Sequence, residues 1–419
     1  MAAGYLEILR ARHAARLLAG TLVGRLPNAT AAIALVLFVR AQGGTYSLAG
    51  ALAAVYGVAN AVGQPVLGRL VDLRGQPRVQ LPAAVLSAVS MAVFAFCGLD
   101  PLPLAYGAVA AAGLFAPPLE GGLRALWPSV LRREEQVHTA YAMDAVAQEV
   151  MFTVGPLLVT LCASVWSERA AVLVVNALGV LGALSVVVSP PSRAWRSAPR
   201  AAHWLGALRS PGLLVLLGAF LFVGMALGSI TVASVSYADG HGGDAVYGWL
   251  MAGLGLGALA GGAAYGARQW GGVPERRLRV LVAFLAVCYV PLTLRPGPVA
   301  MVSLAVVAGV FLAPSLACAF VIVDRHAPGG TVTEAFSWLV TTFTVGSSVG
   351  TGVAGPVAEA GGALWGFVVP GVAGAVSLLV LLAGGRVLAA PVGGGVVASA
   401  SENDPNRAVE PRFSSGDRA

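Results

Sequence analysis

The chain has 419 residues, 57% of them hydrophobic and only 11% charged, where a soluble domain carries about 25% charged residues. Too few polar side chains are present to coat a water-soluble particle of this size, so lipid is the expected solvent and a soluble enzyme is excluded. The net charge is +7 and every basic residue is arginine; the positive excess reports topology across a bilayer and not a nucleic-acid footprint.

In chain order, residues 1–16 form a basic, amphipathic start with Leu6, Leu9, Arg10, Arg12 and Arg16. Arg25 interrupts the next apolar stretch, which argues against a signal peptide. Apolar runs of membrane-spanning length then recur. They predict about twelve helices, with cores at 17–39, 46–67, 79–99, 103–126, 139–165, 170–188, 213–235, 247–270, 278–294, 299–323, 335–358 and 363–388. The expected fold is an all-α membrane protein, with no alternating strand pattern. With the amino terminus inside, the inner connections carry Arg69, Arg74, Arg78, Arg132, Arg133, Arg193, Arg196, Arg200, Arg209, Arg268, Arg276, Arg277, Arg279 and Arg325. The outer connections carry only Arg40, Arg169 and Arg295. This asymmetry places both ends in the cytoplasm. The expected organisation is a bundle over 1–189, a cytoplasmic linker over 190–210, a second bundle over 211–390 and a disordered tail over 391–419. Cys97, Cys162, Cys288 and Cys318 read as packing residues. The five histidines fall in or near loops with no metal-binding spacing, and no cofactor is expected.

Two halves overlay. Gly113, Phe115 and Pro118 match Gly309, Phe311 and Pro314; Ala140-Tyr141-Ala142 matches Ala335-Phe336-Ser337; and Gly68 falls on Gly262. An order-preserving offset near half the chain implies two six-helix bundles of similar build. Gly266 stands where Asp72 stood. The offsets also set Glu120, Arg124, Asp144 and Glu149 against Leu316, Phe320, Leu339 and Thr344. Ionisable groups inside a membrane are costly and face a cavity or one another, so the charged chemistry belongs to the first half.

The stretch Gly68-Arg69-Leu70-Val71-Asp72-Leu73-Arg74-Gly75-Gln76-Pro77-Arg78 is a basic turn between two apolar runs. It resembles the loop between the second and third helices of the major facilitator superfamily, roughly G-x-x-x-D-R-x-G-R-R. Gly68, Asp72 and Gly75 match; Leu73 and Gln76-Pro77 depart, and Arg78 falls one step late. Gly155-Pro156 resembles the fifth-helix motif of the family's antiporters, though Met151 and Val159 replace its other glycines.

Within that frame each candidate residue keeps two readings. Glu120 and Arg124 share a helix face, and Arg124 is at the depth of Asp144. Their ion pair is either an inner latch or a static brace. Glu149 lies deeper, and Glu149 and Glu120 are proton-coupling candidates or carboxylates satisfied by Arg25 or Arg124. Arg25, next to Pro27 and Asn28, pairs internally or meets an anionic group of a substrate. Arg25, Asn28, Tyr237, Trp338 and Thr341 are the candidate substrate contacts. The resemblance implies two bundles rocking about a central site, with Asp72 closing the cytoplasmic side by meeting the eleventh helix near Glu334. It further implies a monomer in the cell membrane whose partners are a small-molecule substrate, protons and the bilayer, and efflux as the direction. A uniporter or importer of the same fold, or a sensor or membrane enzyme, remains the alternative reading. No P-loop is present for direct ATP drive.

Overall fold

A backbone in lipid has no partner but itself, so each apolar run must close into a helix. The computed structural model describes residues 2–131, 133–199, 203–268 and 270–390, and among them no strand occurs. Arg132, Arg200 and the tail 391–419 lie outside the described residues.

The first bundle holds α1 (Ala14–Ala41), α2 (Tyr46–Arg74), α3 (Gln76–Cys97), α4 (Leu102–Val130), α5 (Glu134–Val165) and α6 (Glu168–Val187). The second opens with α7 (Pro211–Asp239), α8 (Asp244–Gly266), α9 (Pro274–Leu294) and α10 (Pro298–His326). Local chemistry sets several boundaries. Thr45, Ser167 and Ser210 accept the backbone N–H groups of Leu48, Ala170 and Leu213 at the starts of α2, α6 and α7, satisfying donors that a helix end leaves orphaned. The α2–α3 reversal is made by one residue, Gly75, at φ 86°, a conformation open to glycine. Pro77 then sits at the first turn of α3, where its missing N–H costs nothing.

Helical hydrogen bonding continues over all 52 residues of Val332–Ala383. A straight helix of that length would run about 78 Å, far more than a bilayer. Contacts with α7 show that it folds back. Gly224 and Gly228 abut Phe343 and Ser347, ascending together, whereas Ala233, Ala219 and Val215 meet Gly366, Ser377 and Gly384 in reverse order. The stretch therefore supplies two limbs, α11 (332–360) before the reversal and α12 (Leu364–Ala383) after it. Eleven helices among the described residues are long and apolar enough to cross a membrane, α1–α10 and α12. The Ser-, Thr- and Gly-rich α11 crosses alongside α7 without reaching that apolarity.

The internal repeat has a direct structural counterpart. The helical hydrogen bonding of α4 is interrupted between Leu114 and Leu119, and that of α10 between Gly309 and Leu312. Both breaks fall where the two halves overlay, and neither is evident from the uninterrupted apolar runs. Just before the breaks, Gly113 packs on the Tyr56 carbonyl of α2 and Gly309 on the Leu254 carbonyl of α8, leaving no room for a side chain. Backbone-to-backbone approach of this kind is how membrane helices gain contact.

The short helix Ala2–Arg10 buries Ile8, while the Leu6 and Leu9 side chains stay exposed. The inter-bundle segment touches both halves. The Ser192 hydroxyl donates to Gln76 Oε1 at 2.9 Å, Arg69 Nη1 donates to the Trp204 carbonyl at 2.7 Å, and the Ala207 N–H donates to Glu334 Oε1 at 3.2 Å.

Candidate functional site

Three helices of the first bundle each bring charge to one depth. Arg25 stands on α1 just before Pro27. Glu120 and Arg124 are one turn apart on the part of α4 that restarts after its break. Asp144 and Gln148 are one turn apart on α5. The break in α4 positions this second half, because it lets the helix resume with Glu120 in its first turn.

The four charged side chains close into an alternating ring. Arg25 Nη2 lies 2.8 Å from Glu120 Oε1 and Arg25 Nη1 lies 3.1 Å from Asp144 Oδ1. Arg124 Nε lies 2.7 Å from Asp144 Oδ2, and Arg124 Nη2 lies 3.6 Å from Glu120 Oε2. Gln148 Oε1 accepts from Arg25 Nη2 at 3.1 Å and from Arg124 Nη2 at 3.4 Å. Arg124 and Asp144 are fully buried, and Glu120 keeps 15% exposure. Two positive and two negative groups leave the ring neutral, which is what makes its burial tolerable.

The ring reaches the second bundle through Arg124. The guanidinium lies 3.7 Å from the centre of the Phe320 ring on α10 and 5.8 Å from that of Phe336 on α11. A cation on an aromatic face is attracted by the ring quadrupole, more strongly when desolvated. Tyr141 of α5 packs against the same two rings and donates to the Arg124 carbonyl at 3.5 Å.

Towards the arginine-rich end, α2 and α11 are joined. Asp72 Oδ1 accepts the Thr333 N–H at 3.1 Å and Oδ2 accepts the Glu334 N–H at 2.9 Å. These are orphan donors of the α11 start, at the positive end of the helix dipole. Gly68 lies against Ser337 and Thr333, and Gly121 lies against the Thr333 carbonyl with little room for a side chain. The molecule is thus closed at this end.

Arg25, Glu120, Arg124 and Asp144 are brought together, and Asn28 lines a pocket with Arg25 and Glu120; the other sequence candidates are dispersed. Glu149 lies one turn past the ring, within electrostatic range of Tyr289 on α9. Asn28 Oδ1 is 3.5 Å from the Tyr56 hydroxyl. The Thr341 hydroxyl reaches the Ala61 carbonyl across the bundle seam at 3.4 Å. Trp338 is partly buried against the large apolar core. Tyr237 belongs to the second bundle's own packing: it stacks on His241 with ring centres 4.1 Å apart, and its hydroxyl donates to the Pro296 carbonyl.

A polar pocket beside the ring contains residues that the sequence reading passed over. It is lined by Arg25, Asn28, Tyr56, Gln64, Ser87, Glu120 and Asn176, with Gly24, Gly179 and Pro117 shaping its walls. A usable signal existed. Asn60, Gln64 and Asn176 each interrupt an apolar run, and between residues 211 and 390 the only Asn or Gln is Gln269.

Residues 17–328 match the family model of the Major Facilitator Superfamily. Nothing among the curated proteins matches the chain in sequence. Similar solved structures include the human organic anion transporter MFSD10, with 17% identity over 88% of this chain and 98% of that one, at a TM-score of 0.65. A bacterial homologue of the iron transporter ferroportin, in an outward-facing state, has 13% identity over 89% and 99%, at 0.70. The E. coli fucose:proton symporter FucP has 16% identity over 88% and 97%, at 0.66.

Proposed function

The chain belongs to the major facilitator superfamily, and from that premise we propose that it exports a small molecule by alternating access, coupled to protons. Membership and fold support transport across a membrane by a multi-pass protein. The fold does not choose the cargo, since the similar structures include an organic anion transporter, a homologue of an iron transporter and a fucose:proton symporter.

The observation that carries the coupling is the double engagement of Arg124, which holds Asp144 in the ring and faces Phe320 of the other bundle. Protonation of Asp144 or Glu120 removes a counter-charge from one arginine. A buried arginine without its counter-charge is strongly unfavourable, and moving it towards water separates it from Phe320. Opening the arginine-rich end then also requires Asp72 to leave the start of α11. Proton uptake and bundle separation thereby favour each other. Glu149, one turn deeper, serves as a proton relay towards the opposite side. Asp72 acts as the gate, and Asn28, Trp338 and Thr341 contribute to the path. The arginine-rich end, and with it both termini, faces the cytoplasm of the cell membrane. One chain supplies both bundles, so a monomer is the working unit. Export rests on the likeness of Gly155-Pro156 to the antiporter motif.

Full-length protein in vesicles with an entrapped pH dye tests this. A solute panel is added under an imposed pH gradient, and solute-dependent proton movement is expected in the wild type. Asp144→Asn is expected to abolish that movement while solute counterflow persists. Coupling unchanged in Glu120→Gln, Asp144→Asn and Glu149→Gln alike sinks the assignment.

A further inference from the structure

The pocket beside the ring is made entirely by the first bundle, from α1, α2, α3, α4 and α6. It therefore travels with that bundle and is distinct from the seam that opens and closes. Its shape has a local cause: Gly179 packs on Pro27, and Gly24 on Gly182 and on Leu119 of α4, so α1 is held closely against both α6 and α4 there.

The charge of the lining restricts what it can hold. Arg25 is engaged by both Glu120 and Asp144, and Arg124 by the same pair. No cation is left over to hold an anion, and the one lining carboxylate, Glu120, already faces Arg25. Among the described residues there is no group of three or more His, Cys, Asp or Glu that could hold a metal ion. What remains is neutral hydrogen-bonding chemistry.

The direction of those hydrogen bonds can be followed atom by atom. Gln64 Nε2 donates to Asn60 Oδ1 at 3.2 Å and to the Ala116 carbonyl at 3.0 Å. The carbonyl fixes the amide orientation and leaves Oε1 as the free end. Asn176 Nδ2 donates to the Val172 carbonyl at 2.8 Å, leaving Oδ1 and one N–H. The Ser87 proton goes to the Ala112 carbonyl at 2.8 Å, leaving oxygen lone pairs. Glu120 Oε2 is buried with no hydrogen bond. The lining therefore offers the acceptors Gln64 Oε1, Asn176 Oδ1 and Ser87 Oγ, beside the N–H groups of Asn28, whose Oδ1 takes the Tyr56 hydroxyl. Its complement is a solute with hydroxyl or amide donors and no net charge.

We propose that this pocket recognises a small neutral solute whose hydroxyl or amide N–H groups donate to Gln64, Ser87 and Asn176, beside the Arg25–Glu120 pair. As the cargo class for this chain, the proposal rests on the transport reading; as a binding site, it stands by itself.

Equilibrium binding to the purified full-length protein tests it with no gradient present, so failure of proton coupling leaves it untouched. The probes are glycerol and myo-inositol for the hydroxyl arm, acetamide and urea for the amide arm, and gluconate and choline as charged controls. Saturable binding in one neutral arm is expected, read as a rise in the unfolding midpoint. Asn176→Ala and Ser87→Ala are each expected to weaken it about fivefold, the scale of one lost hydrogen bond, with no change for gluconate or choline. If Asn176→Ala does not fold, Ser87→Ala alone decides. Binding of a charged probe where the neutral probes fail overturns the proposal. So does neutral binding undiminished in the folded variants, or silence across both neutral arms.

Discussion

Asp72 and Gly266 occupy the same place in the two halves, 266 − 72 = 194 residues apart, and the two seams they form work differently. In the α2–α11 seam a carboxylate takes two backbone N–H groups of the other bundle. In the α8–α5 seam the matching position, Gly266, has no side chain to cap a helix start. Gly266 lies against Ala142 and the Tyr5 ring, and the Tyr5 hydroxyl donates to the Gly262 and Ala263 carbonyls at 3.2 and 3.3 Å. A duplicated frame thus closes one side with a charge and a helix dipole, and the other with packing and an added amino-terminal helix. The same contrast runs deeper. Arg124 and Asp144 stand opposite Phe320 and Leu339 in the overlay, and in space Phe320 provides the apolar face on which Arg124 lies. The two halves thus differ at matching positions: the first places a charged ring there and the second an aromatic face, while the second bundle's own ion pair, Glu275 with Arg325, lies elsewhere.

The largest test of this contrast is Asp144→Ala, which leaves two buried arginines to share Glu120 and so one positive charge without a counter-charge. It is expected to cost about 3–5 kcal/mol, whereas Leu339→Met at the matching position should cost less than about 1.5 kcal/mol. Thermal unfolding of the two purified variants in one detergent makes the comparison, and equal losses would erase the asymmetry. Gly206 comes next. It has φ 55° and lies against the Glu334 carboxylate, so Gly206→Ala should loosen the linker by about 1–3 kcal/mol. Proteolysis near residue 206 in intact vesicles reads this as faster cleavage. Asp72→Asn weakens the charged cap of α11 by about 1 kcal/mol and should speed maleimide labelling of a Ser337→Cys reporter. Tyr5→Phe, acting on the uncharged seam, should change the same labelling by less, about 0.5–1 kcal/mol. A larger effect from Tyr5 than from Asp72 would reverse the ranking of the two seams. Thr341→Val, which removes one 3.4 Å bond across the seam, should stay within about 0.5 kcal/mol in unfolding.

Much of the ring could be anticipated because charge in an apolar run is conspicuous. Arg124 and Asp144 were paired by depth alone, and the structure joins them at 2.7 Å. The participation of Gln148 and the pocket amides was less visible, because a neutral amide disturbs hydropathy less than a charge does. Tyr237 illustrates the opposite error of emphasis: an aromatic residue in a membrane helix is equally at home in packing, and its partners His241, Phe367 and Pro296 all belong to the second bundle.

Composition, run length and arginine placement were enough to determine a helical membrane protein, because the bilayer imposes one backbone solution and one length scale on every crossing, and the offset between halves added its duplication. The offset between halves located the breaks in α4 and α10 only as landmarks. Tertiary structure decided which charges neutralise which, where Val332–Ala383 turns back, and that Arg124 rests on Phe320. Those outcomes depend on helix rotation and on contacts between residues far apart in the chain, 262 positions for Asp72 and Glu334, and local pattern carries no information about either.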